Sequence, residues 1–170
     1  MKYTDYIKNV PNFPIEGIQF KDITPLIGDG VAFSNAINEL TEFSKSLNAN
    51  KVIGPDARGF IIGAPVAYAL KAAFIPVRKP SKLPREVITY DYELEYGKNT
   101  LCMHKDAIKP GDRVVIIDDL LATGGTVEAT INLVETAGGK VVGLGFMIEL
   151  IDLKGRDKVL NYPIKVLMQF

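Results

Sequence analysis

The spacing of apolar residues along the chain predicts three helices. Five apolar side chains recur at spacings of three and four positions: Phe33, Ile37, Leu40, Phe43 and Leu47. This stripe predicts an amphipathic helix from about Val31, for which Asp29 is a suitable N-cap. A second helix is expected to begin near Thr126 and to stop at Gly138, and the apolar segment around Pro65 predicts a third, kinked helix.

Short apolar runs between the helices predict strands. The clearest covers residues 113–118, where consecutive apolar residues do not alternate with polar ones, as expected for a strand covered on both faces. Further strands are expected at residues 51–54, 73–78, 141–149 and 163–169. Because helices separate these strands, we predict an α/β fold with a mainly parallel five-stranded sheet flanked by helices.

Two regions are expected to be additions to this sheet. Prolines and glycines interrupt the first 30 residues, which we predict to be irregular. Residues 87–96 alternate enough for one arm of a hairpin, with residues 97–99 as the turn and residues 100–104 as the returning arm. No internal repeat or linker divides the sequence, so a single domain is expected over residues 1–170.

Composition narrows the class of protein. The 170 residues include 20 Lys+Arg and 20 Asp+Glu, and this zero formal charge argues against nucleic-acid or membrane-surface binding. One cysteine, Cys102, allows no internal disulfide, and one histidine, His104, argues against an imidazole-rich zinc centre. The longest apolar stretch is too short to span a bilayer, and the N-terminus lacks a signal-peptide core. We therefore expect a cytoplasmic protein with a small-molecule ligand.

The chemistry concentrates where the clearest strand gives way to a helix. In a parallel sheet, the carboxyl ends of strands border the ligand crevice. The loop expected there consists of Ala122, Thr123, Gly124, Gly125 and Thr126. Its glycines allow close approach of the backbone, its threonines add hydroxyl donors, and its N–H groups lie at a helix N-terminus. These features predict a phosphate-binding loop.

Two carboxylates, Asp118 and Asp119, directly precede this loop. Ionised carboxylates accept hydrogen bonds and suit a ribose diol, or a Mg²⁺ held partly through water. Phosphate loop and acids together indicate a ribose 5-phosphate, the alternative being an ordinary strand–turn–helix with a solvated acidic turn. Residues 54–59 have the glycine spacing of a P-loop, but Phe60 and Ile61 stand where Lys and Ser/Thr are required.

Residues 114–126 resemble the phosphoribosyl-diphosphate signature of type I phosphoribosyltransferases. Other blocks resemble, in order, the members of that family that act on adenine: residues 13–14, 17–25, 54–60, 78–79, 82–84, 93–98 and 153–156. The resemblance implies the type I phosphoribosyltransferase fold, with an N-terminal hood over residues 1–30 that binds the base and a flexible hairpin over residues 79–104 that covers the active site. It also implies a homodimer.

The activity implied by the resemblance joins adenine to 5-phosphoribosyl 1-diphosphate, giving AMP and diphosphate with Mg²⁺ as cofactor. Arg58, Lys79 and Lys82 match family positions that bind diphosphate, and Arg58 is also a catalytic candidate. A surface pairing with Asp56 is the alternative for Arg58. Ser81 replaces a glycine common in this basic loop of relatives.

The remaining roles concern the base and the reacting carbon. By resemblance, Glu95 shares or donates a proton at adenine N7 and Tyr96 shields C1′, although an exposed hairpin glutamate is the alternative. Glu93 is expected on the same strand face, so only the resemblance favours Glu95 over it. Phe20 offers a stacking surface for a purine, unless it is a core aromatic, and the backbone of Gln19, Phe20 and Lys21 would read the adenine edge. Many relatives have arginine in place of Lys21.

Two alternatives remain open. The first alternative is a phosphoribosyltransferase for another nucleobase, such as a 6-oxo purine or orotate. The second is a regulator that senses phosphoribosyl diphosphate. A regulator would need a basic surface or an added DNA-binding domain, which the first 50 residues do not indicate.

Overall fold

Five parallel strands form the central sheet, which confirms the α/β fold predicted from the alternation of strands and helices. The computed structural model describes residues 1–93 and 98–170. In chain order its strands are β1 (Lys8–Pro11), β2 (Gln19–Asp22), β3 (Lys51–Pro55), β4 (Ala73–Val77), β5 (Val87–Glu93), β6 (Lys98–His104), β7 (Arg113–Leu121), β8 (Lys140–Glu149) and β9 (Ile164–Gln169). Its α-helices are α1 (Thr24–Gly28), α2 (Gly30–Ser46), α3 (Arg58–Leu70) and α4 (Gly125–Thr136), with 3₁₀ turns at Tyr3–Tyr6, Ile151–Leu153 and Gly155–Lys158.

Strand β7 lies in the middle of the sheet, whose order is β4-β3-β7-β8-β9. Successive side chains of a strand point to opposite faces. Val114 and Ile116 accordingly pack with α4 and the β5–β6 hairpin, whereas Val115 and Ile117 pack with α2 and α3. Residues 114–117 of β7 are buried on both faces of the sheet, which explains why this run is continuously apolar.

The central strand is longer than predicted. It does not end at Asp118 but continues to Leu121, and the pairs Leu120↔Ile148 and Leu121↔Glu149 extend its ladder with β8. Apolar residues beyond the two acids pack into the sheet, so the polar pair does not end the strand. The acids therefore lie within the last part of strand β7 and not in a loop after it.

The prediction of irregular structure in the first 30 residues is wrong. Strands β1 and β2 form an antiparallel ribbon with Val10 opposite Phe20, and α1 follows. A two-stranded ribbon tolerates proline at a strand edge, and Pro11 pairs opposite Gln19. Between the strands, Gly17 has a φ of +88° and its N–H donates to Asn12 Oδ1 at 2.9 Å.

The β5–β6 hairpin is present, but the predicted turn at residues 97–99 is wrong at two positions. Lys98 pairs with Glu93 and Asn99 pairs with Tyr92, so both belong to the returning strand. Residues 94–97 lie outside the described part of the chain. The ladder therefore extends closer to the hairpin tip than the residue types indicate.

Helix starts follow the local sequence. Asp29 caps α2 as predicted, because its Oδ1 accepts from the N–H groups of Val31 and Ala32 at 3.1 and 2.9 Å. Helix α3 contains Pro65 in its interior and begins at Arg58, directly after β3. No helix in the described residues is both long and apolar enough to cross a membrane.

Candidate functional site

A cavity of about 240 Å³ opens at the carboxyl ends of β3 and β7. Its lining includes residues 56–58, residues 118–127 and Phe146. The structure thus brings Arg58, both acids and the whole predicted phosphate loop to one place. This is the sheet edge at which parallel α/β folds bind ligands.

The phosphate loop has the backbone shape that its glycines allow. Gly124 has a φ of +84°, in the left-handed region, and Gly125 begins α4. Both glycines are buried, whereas Thr123 is exposed. The first N–H groups of α4 lack partners within the helix, and with the helix dipole they favour an anion at this end.

Backbone from a distant segment closes one side of the loop. A Cβ on Gly124 would lie 2.7 Å from the carbonyl oxygen of Gly155, and a Cβ on Gly155 would overlap the carbonyl oxygen of Ala122. On another side, a Cβ on Gly125 would lie 3.2 Å from the ring of Tyr92. The loop can therefore pack closely against its neighbours because glycines occupy the contact positions.

The two acids of the site differ in burial and in partners. Asp119 is buried, with 4% exposure, and Asp118 is half-buried and accepts from the Asp119 N–H at 2.8 Å. Burial raises the pKa of Asp118 well above its usual value, and the nearby Asp119 charge raises it further. Burial also raises the pKa of Asp119, against the opposing effect of the Arg58 guanidinium.

Arg58 lies at the start of α3 and reaches across to the acids. Its Nε is 2.9 Å from Asp119 Oδ2. The N–H is not aligned with that oxygen, so within the described residues the buried Oδ2 accepts no hydrogen bond. The two atoms are close enough for an ion pair, yet Asp119 Oδ2 remains free to accept a hydrogen bond from a ligand hydroxyl. The alternative pairing with Asp56 is not observed, because Asp56 accepts from Arg78 at 2.9 Å.

Arg58 also connects the acids to the N-terminal ribbon. Its guanidinium carbon lies 5.1 Å from the centre of the Phe20 ring, and Phe13 meets that ring edge-on at 5.1 Å. Phe20 is half-buried and belongs to neither core cluster of the described residues, so it is not a core aromatic. Beside it, Lys21 Nζ and Gln19 Oε1 both contact the Asn9 side chain.

Two of the predicted diphosphate-binding residues are not brought to the cavity. Lys79 and Lys82 are exposed on the loop after β4 and do not line it. Ser81, between them, has a φ of +66°, a conformation that favours glycine. Glu95 and Tyr96 lie outside the described residues.

Sequence reasoning missed three contributors to the site. Tyr92 covers Gly125, Gly155 contacts the phosphate loop, and Arg156 forms an ion pair with the buried Glu149. Alternation along β5 places Tyr92 on a defined face, but nothing in the sequence identifies what that face covers. Gly155 and Arg156 belong to the block at residues 153–156, whose resemblance to relatives was the one available signal.

Comparisons with known proteins agree with this geometry. Residues 27–167 match the family model described as phosphoribosyl transferase domain. Adenine phosphoribosyltransferase of Streptococcus thermophilus is 56% identical over 170 residues, which cover 100% of this chain and 99% of that protein. Among solved structures, adenine phosphoribosyltransferase of Thermoanaerobacter pseudethanolicus has a TM-score of 0.95 and 49% identity, covering 99% of this chain and 98% of that one. The enzyme of the same name from Rhodothermus marinus has a TM-score of 0.94 and 50% identity, covering 99% and 96%.

Proposed function

The chain belongs to the phosphoribosyltransferase family, and we propose that it transfers the 5-phosphoribosyl group of 5-phosphoribosyl 1-diphosphate to adenine, giving AMP and diphosphate. This is a purine salvage reaction. The observation that carries the proposal is the meeting of a glycine-built anion loop, the adjacent acids Asp118 and Asp119 and Arg58 at one cavity. The substrate assignment is supported by the full-length similarity to enzymes that use adenine.

In the proposed site the phosphate loop holds the 5′-phosphate of the donor. Backbone N–H groups at the start of α4 and the hydroxyls of Thr123 and Thr126 donate to its oxygens. Asp118 and Asp119 accept hydrogen bonds from the ribose hydroxyls, and the unused Asp119 Oδ2 is suited to this role. Carboxylates beside an anion site repel the phosphate. Hydrogen bonds to the two ribose hydroxyls give these carboxylates a favourable role in binding the same ligand.

Arg58 is the proposed catalytic and diphosphate-binding cation. Its guanidinium has five N–H donors, and its Nε lies 2.9 Å from Asp119 Oδ2 without donating a hydrogen bond to it. The side chain is 40% exposed, which leaves its other donors accessible to the diphosphate. Lys79 and Lys82, exposed on the loop after β4, are proposed to add to this positive field when the donor is bound.

The proposed reaction breaks the bond between C1′ and the diphosphate as adenine N9 bonds to C1′. Positive charge develops on the ribose ring, and the carboxylates that hold the ribose hydroxyls stabilise it. The diphosphate leaves with the bonding electron pair, and the base loses a proton. Glu95 is proposed, by resemblance, to share a proton at N7 and Tyr96 to shield C1′ from water.

The base is proposed to stack on Phe20, within the hood of residues 1–30. Phe20 contacts Phe13 and the Arg58 guanidinium, and Arg58 also pairs with Asp119, so Phe20 lies beside the proposed ribose site. Backbone groups of residues 19–21 then read the edge of the base. A 6-oxo purine reverses donor and acceptor at that edge, and leaving buried polar groups mispaired costs about 1–3 kcal/mol.

The acid pair also fits a Mg²⁺ carried by the donor. No group of three or more carboxylate, imidazole or thiol side chains gathers within the described ranges, so Asp118 and Asp119 would hold the ion together with water and substrate oxygens. The ion would neutralise charge on the diphosphate. Four further features remain predictions: a homodimer, a cytoplasmic location, a single domain, and a hairpin at residues 79–104 that closes over the site.

The proposal is tested by mixing the purified protein with Mg²⁺, 5-phosphoribosyl 1-diphosphate and one nucleobase at a time. AMP formed from adenine, with no product from hypoxanthine or orotate, is the expected result. Turnover of another base would contradict the substrate assignment. Absence of turnover together with tight DNA or RNA binding would support a regulator.

A further inference from the structure

The phosphate loop depends on a segment about 30 residues further along the chain. Gly155 lies so close that a side chain on either Gly124 or Gly155 would meet backbone of the other segment. Gly155 is buried, and it follows Lys154, whose φ is +53°. The 3₁₀ turn Gly155–Lys158 thus forms a wall against which the loop rests.

One side chain fixes this wall to the sheet. Arg156 donates from Nε to Glu149 Oε1 at 2.8 Å and from Nη2 to Glu149 Oε2 at 2.6 Å. Gln169 Nε2 donates to the same Oε2 at 2.9 Å. Glu149 is 4% exposed, and Arg156 lowers its pKa. A two-bond fork to a buried carboxylate fixes orientation as well as distance.

Glu149 is placed where this connection matters most. It is the last residue of β8 and lies opposite Leu121, the last residue of β7. The phosphate loop begins directly after Leu121, at Ala122. Gln169 of β9 is opposite Glu149 on the other side. The Arg156 fork therefore ties the wall to the same level of the sheet from which the loop departs.

We propose that Arg156 is a positioning residue for the 5′-phosphate. Its fork on Glu149 holds Gly155 against Gly124, and this contact sets the loop shape that receives the phosphate. Arg156 does not line the cavity, so its proposed action on the phosphate is indirect. The inference rests on the proposed function of the loop.

The test measures the KM values for both substrates, kcat, thermal stability and the calorimetric affinity for ribose 5-phosphate. Arg156→Met is expected to raise the KM for phosphoribosyl diphosphate and the Kd for ribose 5-phosphate together, by about tenfold to a hundredfold. The KM for adenine stays within about twofold, because the base is proposed to bind at Phe20, which lies outside the lining of this cavity. Arg156→Lys keeps the charge without the fork and restores part of the affinity.

Two further variants separate positioning from general stability. Gly155→Ala leaves Arg156 intact, has no left-handed φ to strain, and is expected to reproduce the Arg156→Met effect through the overlap with Ala122. Lys158 forms an exposed pair with Glu128 at 3.5 Å, between the same turn and α4. Lys158→Met is therefore the matched control and leaves ribose 5-phosphate binding unchanged.

The proposal is overturned if Arg156→Met lowers the melting temperature while both substrate KM values stay the same, or if it raises both equally. Should the single variant fail to fold because Glu149 is left unpaired, the double variant Arg156→Met/Glu149→Gln removes the charge and carries the same expectation. Ribose 5-phosphate binding needs no turnover. Wild-type protein that binds ribose 5-phosphate but makes no AMP would contradict the proposed function and leave this test intact.

Discussion

The two ends of the proposed substrate site are built by different means. At the phosphate end, the loop at residues 122–126 is shaped by backbone: Gly124 is held against Gly155, and Gly125 is covered by Tyr92. At the base and diphosphate end, side chains on surface segments are expected to contact the ligand, and Phe20, Lys79 and Lys82 are half-buried or exposed. The phosphate end is therefore preorganised, whereas the other end gains its contacts when substrates are present.

This difference has an energetic consequence. A preorganised site loses little conformational freedom on binding, while ordering an exposed lysine costs about 0.5–1.5 kcal/mol of side-chain freedom. The phosphate end also attracts its anion with backbone dipoles, which are partly shielded from solvent. The exposed lysines act through a field that salt screens within about 8–10 Å. We expect substitutions at the two ends to differ in size and in salt dependence.

The largest effect is expected from Gly124→Ala. The added Cβ meets Gly155 O at 2.7 Å, and a φ of +84° is unfavourable for alanine, so the loop must change shape. We expect the KM for phosphoribosyl diphosphate to rise by about a hundredfold, because misplacement of about 1 Å has effects of this size. Gly111→Ala is the control, since Gly111 has a φ of +91° but open space around it. If Gly111→Ala lowers donor affinity equally, backbone strain and not the contact with Gly155 causes the effect of Gly124→Ala.

Asp118→Asn is expected to reduce activity and to increase stability. Losing one charge-assisted hydrogen bond to the ribose lowers kcat/KM by about tenfold. Because the pKa of Asp118 is raised in the fold, protonation stabilises the native state, and this gain is lost as pH rises through the folded pKa. The variant should therefore exceed the wild-type melting temperature more at pH 8 than at pH 5, by about 2–4 °C for each kcal/mol gained. Exposed Asp152→Asn should change neither property, and a variant less stable at pH 8 would contradict the assignment.

Phe20→Leu tests the base end with an effect of intermediate size. Leucine keeps an apolar surface but loses the ring, and stacking on a base is worth about 1 kcal/mol or more. We expect the KM for adenine to rise about fivefold with an unchanged KM for the donor. Phe33→Leu on α2 removes a half-buried ring away from the cavity and should leave both KM values unchanged. Equal changes in both KM values for Phe20→Leu would move Phe20 out of the base site.

The phosphate end could be predicted from sequence because its determinants are contiguous. The acids, the glycines and the helix start fall within residues 118–126, and their conformational preferences act locally. The wall at Gly155 and Arg156 could not be predicted from physical chemistry, because its effect arises only when the sheet brings Leu121 and Glu149 together.

The fold was predicted where a single tendency dominates. Residues 114–117 are apolar on both faces and lie in the central strand. The errors fall where polar residues and prolines are compatible with strands, namely at the end of β7, at Lys98 and Asn99, and in the β1–β2 ribbon. In each case pairing with a neighbouring strand overrides the local preference of the residue type.

The smallest effect is expected from Lys82→Ala, and this variant tests directly whether the two ends differ in salt dependence. Lys82 is exposed, so its attraction for the diphosphate is screened, and we expect the KM for the donor to rise about threefold at low salt. At about 0.5 M salt the difference from wild type should disappear, whereas the Gly124→Ala effect should persist. Lys140→Ala, an exposed lysine at the amino end of β8, is the matched control and should change nothing at either salt concentration. A salt-independent loss at Lys82 would mean that the lysine is desolvated in the complex, and the two ends would then not differ in how they hold charge.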